Sequence, residues 1–238
     1  YSGKEIGKAF LSNGFRVTST SRSQEKYDQL MGLGFEATIF NGESLTDALK
    51  GRLASVTHLI QSISPSASQG GNDPFLDLLS NDLRSALPKI EWIAYLSTVG
   101  VYGDHGGAWV TEETTPFPVS KRSIERLAAE RAWQAAAISA DVPLSILRLS
   151  GIYGPGRNAL VNLLRGNAKR LIKQGQVFNR IRVEDIAGAA ALLARQKANG
   201  IFNVTDDEPA PPQDVVTYAA KLLSIEPPPE QSFETAQL

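Results

Sequence analysis

Two hydroxyl side chains, Ser97 and Thr98, come directly after a short apolar run, Trp92–Leu96. A run of this length between polar residues is typical of a strand that is buried on both faces of a parallel sheet. Ligands of such sheets bind just beyond the carboxyl ends of the strands. We therefore expect Ser97 or Thr98 to hold a substrate oxygen at this edge of the sheet.

Strands and helices alternate along the chain, which predicts an α/β fold with a doubly wound, mostly parallel sheet and helices on both faces. A sheet of this kind should begin with a strand, whereas this sequence begins at a helix, so we expect the first strand to be absent from it. The predicted strands are 15–21, 35–40, 56–63, 92–96, 144–149 and 201–204, and the predicted helices are 4–12, 23–32, 45–52, 75–87, 120–140, 158–172, 183–196 and 212–223.

The composition excludes several classes of function. A net charge of −1 gives no support for a nucleic-acid or membrane-surface partner. The sequence has no cysteine, which removes disulfides, thiolate metal sites and a cysteine nucleophile. No His, Asp and Glu cluster has the spacing of metal ligands, so we expect no metal. No apolar run approaches the roughly 20 residues of a membrane span, and with no visible signal peptide we expect a cytoplasmic protein.

Ser2 and Gly3 stand immediately before the first predicted helix. Gly3 could be the last glycine of a G-x-G-x-x-G loop, in which backbone N–H groups and a helix N-terminus meet a pyrophosphate. It could equally be an ordinary glycine at a helix start. The sequence leaves both interpretations open, but Ser2 and Gly3 are candidates for cofactor binding.

Ser21 and Arg22 lie where the next strand ends. In dinucleotide-binding folds an acidic residue here binds the ribose diol of NAD, whereas an arginine suits the extra phosphate of NADP. No Asp or Glu occurs between Arg16 and Gln24. We therefore expect NADP to be preferred, with NAD possible. The alternative is a solvent-exposed arginine at a helix start.

Four motifs follow one another along the chain: LSTVGVYG at 96–103, RLSGIYGPGR at 148–157, IRVEDIA at 181–187 and FNVTDDEP at 202–209. Together they resemble the extended short-chain dehydrogenase/reductases, which are NAD-dependent epimerase/dehydratase-like proteins. The resemblance implies an NAD(P)-binding Rossmann domain from residues 1–152 and 181–205. It also implies a small C-terminal lobe, from residues 153–180 and 206–238, that binds a small-molecule substrate.

The resemblance further implies which positions line the cofactor and the substrate. The family register favours Thr98 over Ser97 as the hydroxyl that holds the substrate oxygen. The other implied positions lie after strands: Ser62, Ile63, Ser64 and Asn41 on the adenosine side of the cofactor, and Ser150, Gly151 and Ile152 at its nicotinamide end. A homodimer, paired through helices 75–87 and 120–140 as in related folds, is possible.

The family's chemistry uses a tyrosine as the general acid/base and a lysine four residues after it. One register places Arg122 at the tyrosine position and Arg126 at the lysine position, and the other register places Phe117 at the tyrosine position. Neither register supplies a phenol. An arginine stays protonated in proteins, so Arg122 cannot cycle a proton as a tyrosine does. The sequence is therefore an atypical member of the group it resembles.

Arg122 and Arg126 lie four residues apart and share one face of a helix. They could belong to a solvated face, with Arg126 paired to Glu130 for about 0.2–0.5 kcal/mol. They could instead attract a phosphate or carboxylate at the catalytic edge.

Two functions then compete. One is a reductase or epimerase that uses NADP and acts on a small, sugar-like or phosphorylated substrate. The other is a non-catalytic NADP-binding sensor that has lost the reaction. A protein that binds a different nucleotide in the same crevice is a third, weaker alternative.

Overall fold

The computed structural model describes residues 1–65, 73–79 and 82–236. Its helices are α1 (Ser2–Ser12), α2 (Gln24–Gly32), α3 (Asp47–Leu53), α4 (Pro74–Leu78), α5 (Leu83–Ala86), α6 (Lys121–Ala140), α7 (Ala159–Leu164), α8 (Val183–Gln196), α9 (Pro212–Leu223) and α10 (Phe233–Ala236). Its strands are β1 (Thr18–Ser21), β2 (Glu36–Ile39), β3 (His58–Gln61), β4 (Trp92–Thr98), β5 (Leu144–Leu149), β6 (Gly151–Tyr153), β7 (Arg170–Ile172), β8 (Arg180–Arg182), β9 (Gly200–Val204) and β10 (Glu230–Ser232).

The central sheet has four parallel strands in the order β3-β4-β5-β9, and β1 and β2 form a separate parallel pair. Helices connect the successive strands of these sheets, as parallel pairing requires. Two smaller parallel pairs, β6 with β8 and β7 with β10, form the other sheets of the described residues. The predicted α/β class, with mostly parallel, Rossmann-like pairing, is confirmed.

Strand β4 is buried on both faces because its side chains alternate between two cores. Tyr95 packs with Trp133 of α6 in the core under α4, α5 and α6. Its neighbour Ala94 packs with Ile6 of α1 and Ile186 of α8 in the opposite core. The continuous apolar sequence of β4 reflects this two-sided burial. None of the helices in the described ranges is long and apolar enough to cross a bilayer.

Some predicted elements are wrong. The helix expected over 158–172 ends at Leu164, because Gly166 with φ +69° adopts the left-handed conformation that closes helices. Arg170–Ile172 instead forms β7, which pairs with the unpredicted strand β10. Strands β6 and β8 were also not predicted. The helix expected over 75–87 corresponds to α4 and α5, and residues 80 and 81 between them lie outside the described residues.

Helix α1 lies against the sheet through its buried residues Ile6, Gly7 and Phe10. A Cβ atom added at Gly7 would lie only 2.6 Å from Cζ of Phe35, which is itself 2% exposed. Gly7 therefore allows a close approach between α1 and Phe35. Gly188 in α8 has no atom within 4 Å of the equivalent position.

These two helical glycines give opposite predictions for an alanine substitution. Gly7→Ala should lower the free energy of unfolding by about 1–3 kcal/mol, because Phe35 must shift to admit the methyl group. Gly188→Ala should raise it by about 0.5–1 kcal/mol, because alanine loses less backbone entropy in a helix. Urea denaturation of both variants measures the difference. Equal effects of the two substitutions would contradict the close packing of α1 on Phe35.

Candidate functional site

The carboxyl ends of β3, β4 and β5 lie at one edge of the sheet, and the N-terminus of α1 contacts this edge. A Cβ atom added at Gly3 would lie 3.1 Å from Oγ of Ser62, the residue after β3. The α1 N-cap, Tyr1, makes no side-chain capping hydrogen bond. The structure therefore brings two predicted cofactor residues, Gly3 and Ser62, together beside a helix N-terminus that no capping side chain occupies.

Ser97 and Thr98 end strand β4 in different environments. Ser97 is 5% exposed, and its hydroxyl donates a hydrogen bond to the carboxylate of Glu130 on α6. Thr98 is half-buried, and its Oγ1 accepts a 3.1 Å hydrogen bond from the N–H of Gly100 at the start of a short 3-10 helix. Thr98 is therefore the more accessible of the two hydroxyls.

Arg126 links α6 to the ends of β3 and β4. Its Nη1 donates to the carbonyl of Leu96 at 2.9 Å, and its Nη2 donates to Oγ of Ser64 at 3.0 Å. The guanidinium also lies 5.8 Å from the ring centre of Tyr95. Arg126 does not pair with Glu130, so that expectation is wrong: these carbonyl and hydroxyl acceptors hold it against the sheet. Arg122 lies one turn earlier and is exposed.

The Tyr95 phenol receives a long hydrogen bond, 3.4 Å, from Nη1 of Arg126. Burial raises the pKa of Tyr95 well above its ordinary value, although the charge of Arg126 acts in the opposite direction. Tyr95 is 0% exposed and stacks near Trp133 in the core. The phenol therefore stays neutral and packed, and it does not replace the missing acid/base.

A polar row crosses the sheet directly below the edge. Ser97, Arg148 and Asn203 are register partners on β4, β5 and β9. Glu130, 1% exposed, accepts hydrogen bonds from Nη2 of Arg148 at 2.8 Å and from its Nε at 3.3 Å. Burial disfavours the charge of Arg148, but the bonds to Glu130 outweigh this and raise its pKa. A buried ion pair thus ties α6 to the sheet.

The loop at 103–118 is joined to the same row. The ring centre of Tyr102 lies 4.7 Å from the guanidinium carbon of Arg148, and its hydroxyl donates to Oδ1 of Asn203 at 2.7 Å. The backbone N–H of Asn203 donates to Oε1 of Glu112 at 2.7 Å. These contacts hold the start and the middle of the loop close to the end of β9.

The remaining predicted cofactor residues follow their strands but do not form one cluster. Ser21 uses its hydroxyl in the turn before α2, bonding the backbone of Ser23. Arg22 is exposed and makes no hydrogen bond or ion pair with the residues that the structure describes. Asn41 bonds Glu43 in its own loop at 2.6 Å. The participation of these residues in cofactor binding stays a prediction.

At the predicted nicotinamide end, backbone pairing holds the chain. The N–H of Ser150 donates to the carbonyl of Val204 at 3.3 Å, and the N–H of Gly151 donates to the carbonyl of Asn179 at 3.1 Å. Ile152 pairs with Ile181 in the β6–β8 sheet. The strand ends are thus fixed in place by backbone contacts.

On the predicted adenosine side, Ile63 lies beside Ser64, and its N–H donates to the side chain of Gln61.

None of the six tyrosines, all of which lie within the described ranges, hydrogen bonds to Thr98 or to a hydroxyl beside it. Across the described residues, no three His, Asp or Glu side chains are grouped as metal ligands. The site therefore offers hydroxyls and a fixed guanidinium, without a phenol at the position that the family would use.

Several site residues were missed by the sequence reasoning. Glu130 appeared only as a partner for Arg126, and Arg148 was treated as part of an apolar strand. The signal for this pair was available: a charged residue inside the apolar run LSILRL must find a buried partner. Asn203 carried no such signal, because an isolated asparagine is usually on the surface.

Comparison with known proteins identifies the family. The sequence profile of the NAD dependent epimerase/dehydratase family matches residues 1–205. The chain belongs to this family. Protein YeeZ of Escherichia coli strain K12 is 29% identical over 238 residues, which cover 95% of this chain and 82% of that protein.

Two solved structures support the fold. A conserved protein of unknown function from Silicibacter pomeroyi DSS has a TM-score of 0.89 and 40% identity, covering 100% of this chain and 80% of its own. The dTDP-glucose 4,6-dehydratase of Bacillus anthracis strain Ames, in complex with NAD, has a TM-score of 0.79 and 19% identity, covering 98% of this chain and 81% of its own. At 19% identity, the similarity to the dehydratase is a similarity of fold.

The buried ion pair makes a testable contribution to stability. Glu130→Gln should lower the free energy of unfolding by about 3–5 kcal/mol, because Arg148 would keep its charge in the core without a carboxylate. Glu113→Gln is the control: it makes the same chemical change at an exposed residue and should leave the free energy of unfolding almost unchanged. Urea denaturation measures both variants. A loss below about 1 kcal/mol for Glu130→Gln would show that the pair does not tie α6 to the sheet.

Proposed function

We propose that this protein is an oxidoreductase that uses NADP in preference to NAD and acts on the oxygen-bearing carbon of a small, sugar-like or phosphorylated substrate. Family membership supports binding of a nicotinamide dinucleotide. The observation that carries the proposal is the position of Arg126, which bridges Ser64 on the predicted cofactor segment and Leu96 next to the hydroxyl pair.

The residues at the edge fit a dinucleotide. The N-terminal N–H groups of α1 are not capped by the Tyr1 side chain, and a helix N-terminus of this kind favours a pyrophosphate. Gly3 leaves room at Ser62 that a larger residue would fill. Arg22, which has no charged partner within the described residues, would meet the extra phosphate of NADP.

In the reaction, the dinucleotide supplies or accepts the hydride. Thr98 would donate its hydroxyl proton in a hydrogen bond to the substrate oxygen. Arg126 keeps a permanent positive charge between cofactor and substrate and favours the more negative state of the reacting oxygen. It cannot move a proton, so another group must supply one.

A second candidate function, a non-catalytic NADP sensor, is favoured by a separate observation. No tyrosine hydroxyl reaches Thr98 in the described part of the chain, and loss of a positioned acid/base typically costs about 10²–10⁴ in rate. A sensor would keep cofactor affinity and show no turnover.

Arg22→Ala should weaken NADPH binding by about 10- to 100-fold, because hydrogen bonds to a charged phosphate are worth about 1.5–3 kcal/mol. Binding of NADH, which lacks that phosphate, should change little. Fluorescence titration of the full chain with both cofactors measures the two dissociation constants. Arg16→Ala is the matched control, because it removes the same charge from a residue that lies before β1 instead of after it.

The titration also separates the alternatives. If neither NADPH nor NADH binds, both the oxidoreductase and the sensor are wrong. Tight NADPH binding without oxidation by any aldehyde, ketone or nucleotide sugar in a panel would favour the sensor. Equal affinities for NADPH and NADH in the unaltered protein would contradict the proposed preference for NADP.

A further inference from the structure

Two hydroxyls converge on the space beside Gly100. A Cβ atom added at Gly100 would lie 3.0 Å from Oγ of Ser123 and 3.4 Å from Oγ1 of Thr98. Ser123 is in the first turn of α6, so the helix and the end of β4 contribute one hydroxyl each. Because Gly100 has no side chain, both hydroxyls can approach the same point.

In the hydrogen bonds at this point, each hydroxyl acts as an acceptor, which leaves its own hydrogen available for donation. Oγ1 of Thr98 accepts from the N–H of Gly100 at 3.1 Å, and Oγ of Ser123 accepts from the hydroxyl of Ser120 at 2.9 Å. Within the described residues, neither Thr98 nor Ser123 donates its own proton to an acceptor. Two hydrogen-bond donors therefore lie close to one point beside Gly100, and a carbonyl oxygen with two lone pairs could accept from both.

The Ser123 hydroxyl is not needed to build the helix. Ser120 is the N-cap of α6, and its Oγ accepts the N–H of Ser123 at 3.2 Å. This bond satisfies the end of the helix in the usual way. The Ser123 side chain thus remains available for a ligand, while Ser120, which is exposed, connects it to solvent.

We propose that Ser123 is a second ligand of the substrate's carbonyl oxygen beside Thr98, and that Ser120 and Ser123 relay the proton that the missing tyrosine would have supplied. This inference rests on the proposed oxidoreductase function and assigns its substrate to aldehydes and ketones. It gives the Ser120–Ser123 pair a role in proton transfer.

The relay supplies the proton that the reduction of a carbonyl group needs. A bound reduced dinucleotide would supply the hydride to the carbonyl carbon, and the C=O π electrons would move to the oxygen. That oxygen takes the proton of Ser123, Ser123 takes the proton of Ser120, and Ser120 is reprotonated by water. The products are an alcohol and the oxidised dinucleotide. The 2.9 Å distance between Oγ of Ser120 and Oγ of Ser123 is short enough for this transfer.

The test measures NADPH oxidation by the full chain with methylglyoxal, benzaldehyde and acetone as probes. The unaltered protein should reduce at least one of them. Ser123→Ala should lower kcat by about 100-fold, as expected on removal of one donor to a developing oxyanion, with the Kd for NADPH within about twofold. Ser123→Thr, which keeps the hydroxyl, should restore most of kcat. Ser139→Ala, an exposed serine at the far end of α6, is the control and should leave kcat unchanged.

A second variant isolates the relay. Ser120→Asp keeps an N-cap acceptor but has no proton to donate at neutral pH, so kcat should fall about tenfold or more while thermal stability is retained. Gly100→Ala should raise KM for the carbonyl probe, because the methyl group would lie close to both hydroxyls.

The outcomes separate this inference from the proposed function. NADPH binding and turnover with an unchanged kcat in Ser123→Ala would overturn the role of Ser123 and leave the oxidoreductase standing. NADPH binding without reduction of any of the three probes would overturn the carbonyl assignment. Failure to bind NADPH would overturn the proposed function itself.

Discussion

The buried ion pair between Glu130 and Arg148 fixes helix α6 on the sheet, and the geometry at the carboxyl edge depends on it. Arg126 and Ser123 lie on the same helix, one and two turns before Glu130, so their positions follow from the point at which Glu130 is held. Desolvating two charges is costly, and removing either partner would leave the other unpaired. The pair therefore specifies the register of α6 more strongly than apolar packing alone would.

The same pair explains why a polar row is tolerated in the interior. Ser97 and Asn203 flank Arg148 at one register position. Ser97 donates a hydrogen bond to Glu130 of the ion pair, and Asn203 accepts one from the hydroxyl of Tyr102. Two residues earlier along the strands, Tyr95 and Ile146 belong to the apolar core. The transition from an apolar to a polar layer occurs where the strands end, which is where an α/β sheet places its ligands.

The sequence predicted the layered α/β fold because long helices and buried strands carry strong patterns. It did not predict β6, β8 or β10, since strands of three residues have too few side chains to show a period. Thr98 and Arg126 could be named as candidates because Thr98 follows a strand end and Arg126 lies one helical repeat after Arg122. Their partners could not be predicted: the contact of Arg126 with Ser64 joins residues 62 positions apart, and only the folded backbone brings them together.

In the register that places Arg122 and Arg126 at the family's tyrosine and lysine positions, the edge would handle protons differently. A phenol can both donate and accept, whereas a guanidinium remains charged throughout a reaction. Arg126 donates hydrogen bonds to Leu96 and Ser64, which hold its positive charge in place, while Arg122 is exposed. The proposed proton transfer therefore needs groups that can both donate and accept a proton. Hydroxyls that hydrogen bond to one another have both capacities, and the roles proposed for Thr98, Ser123 and Ser120 rest on this property.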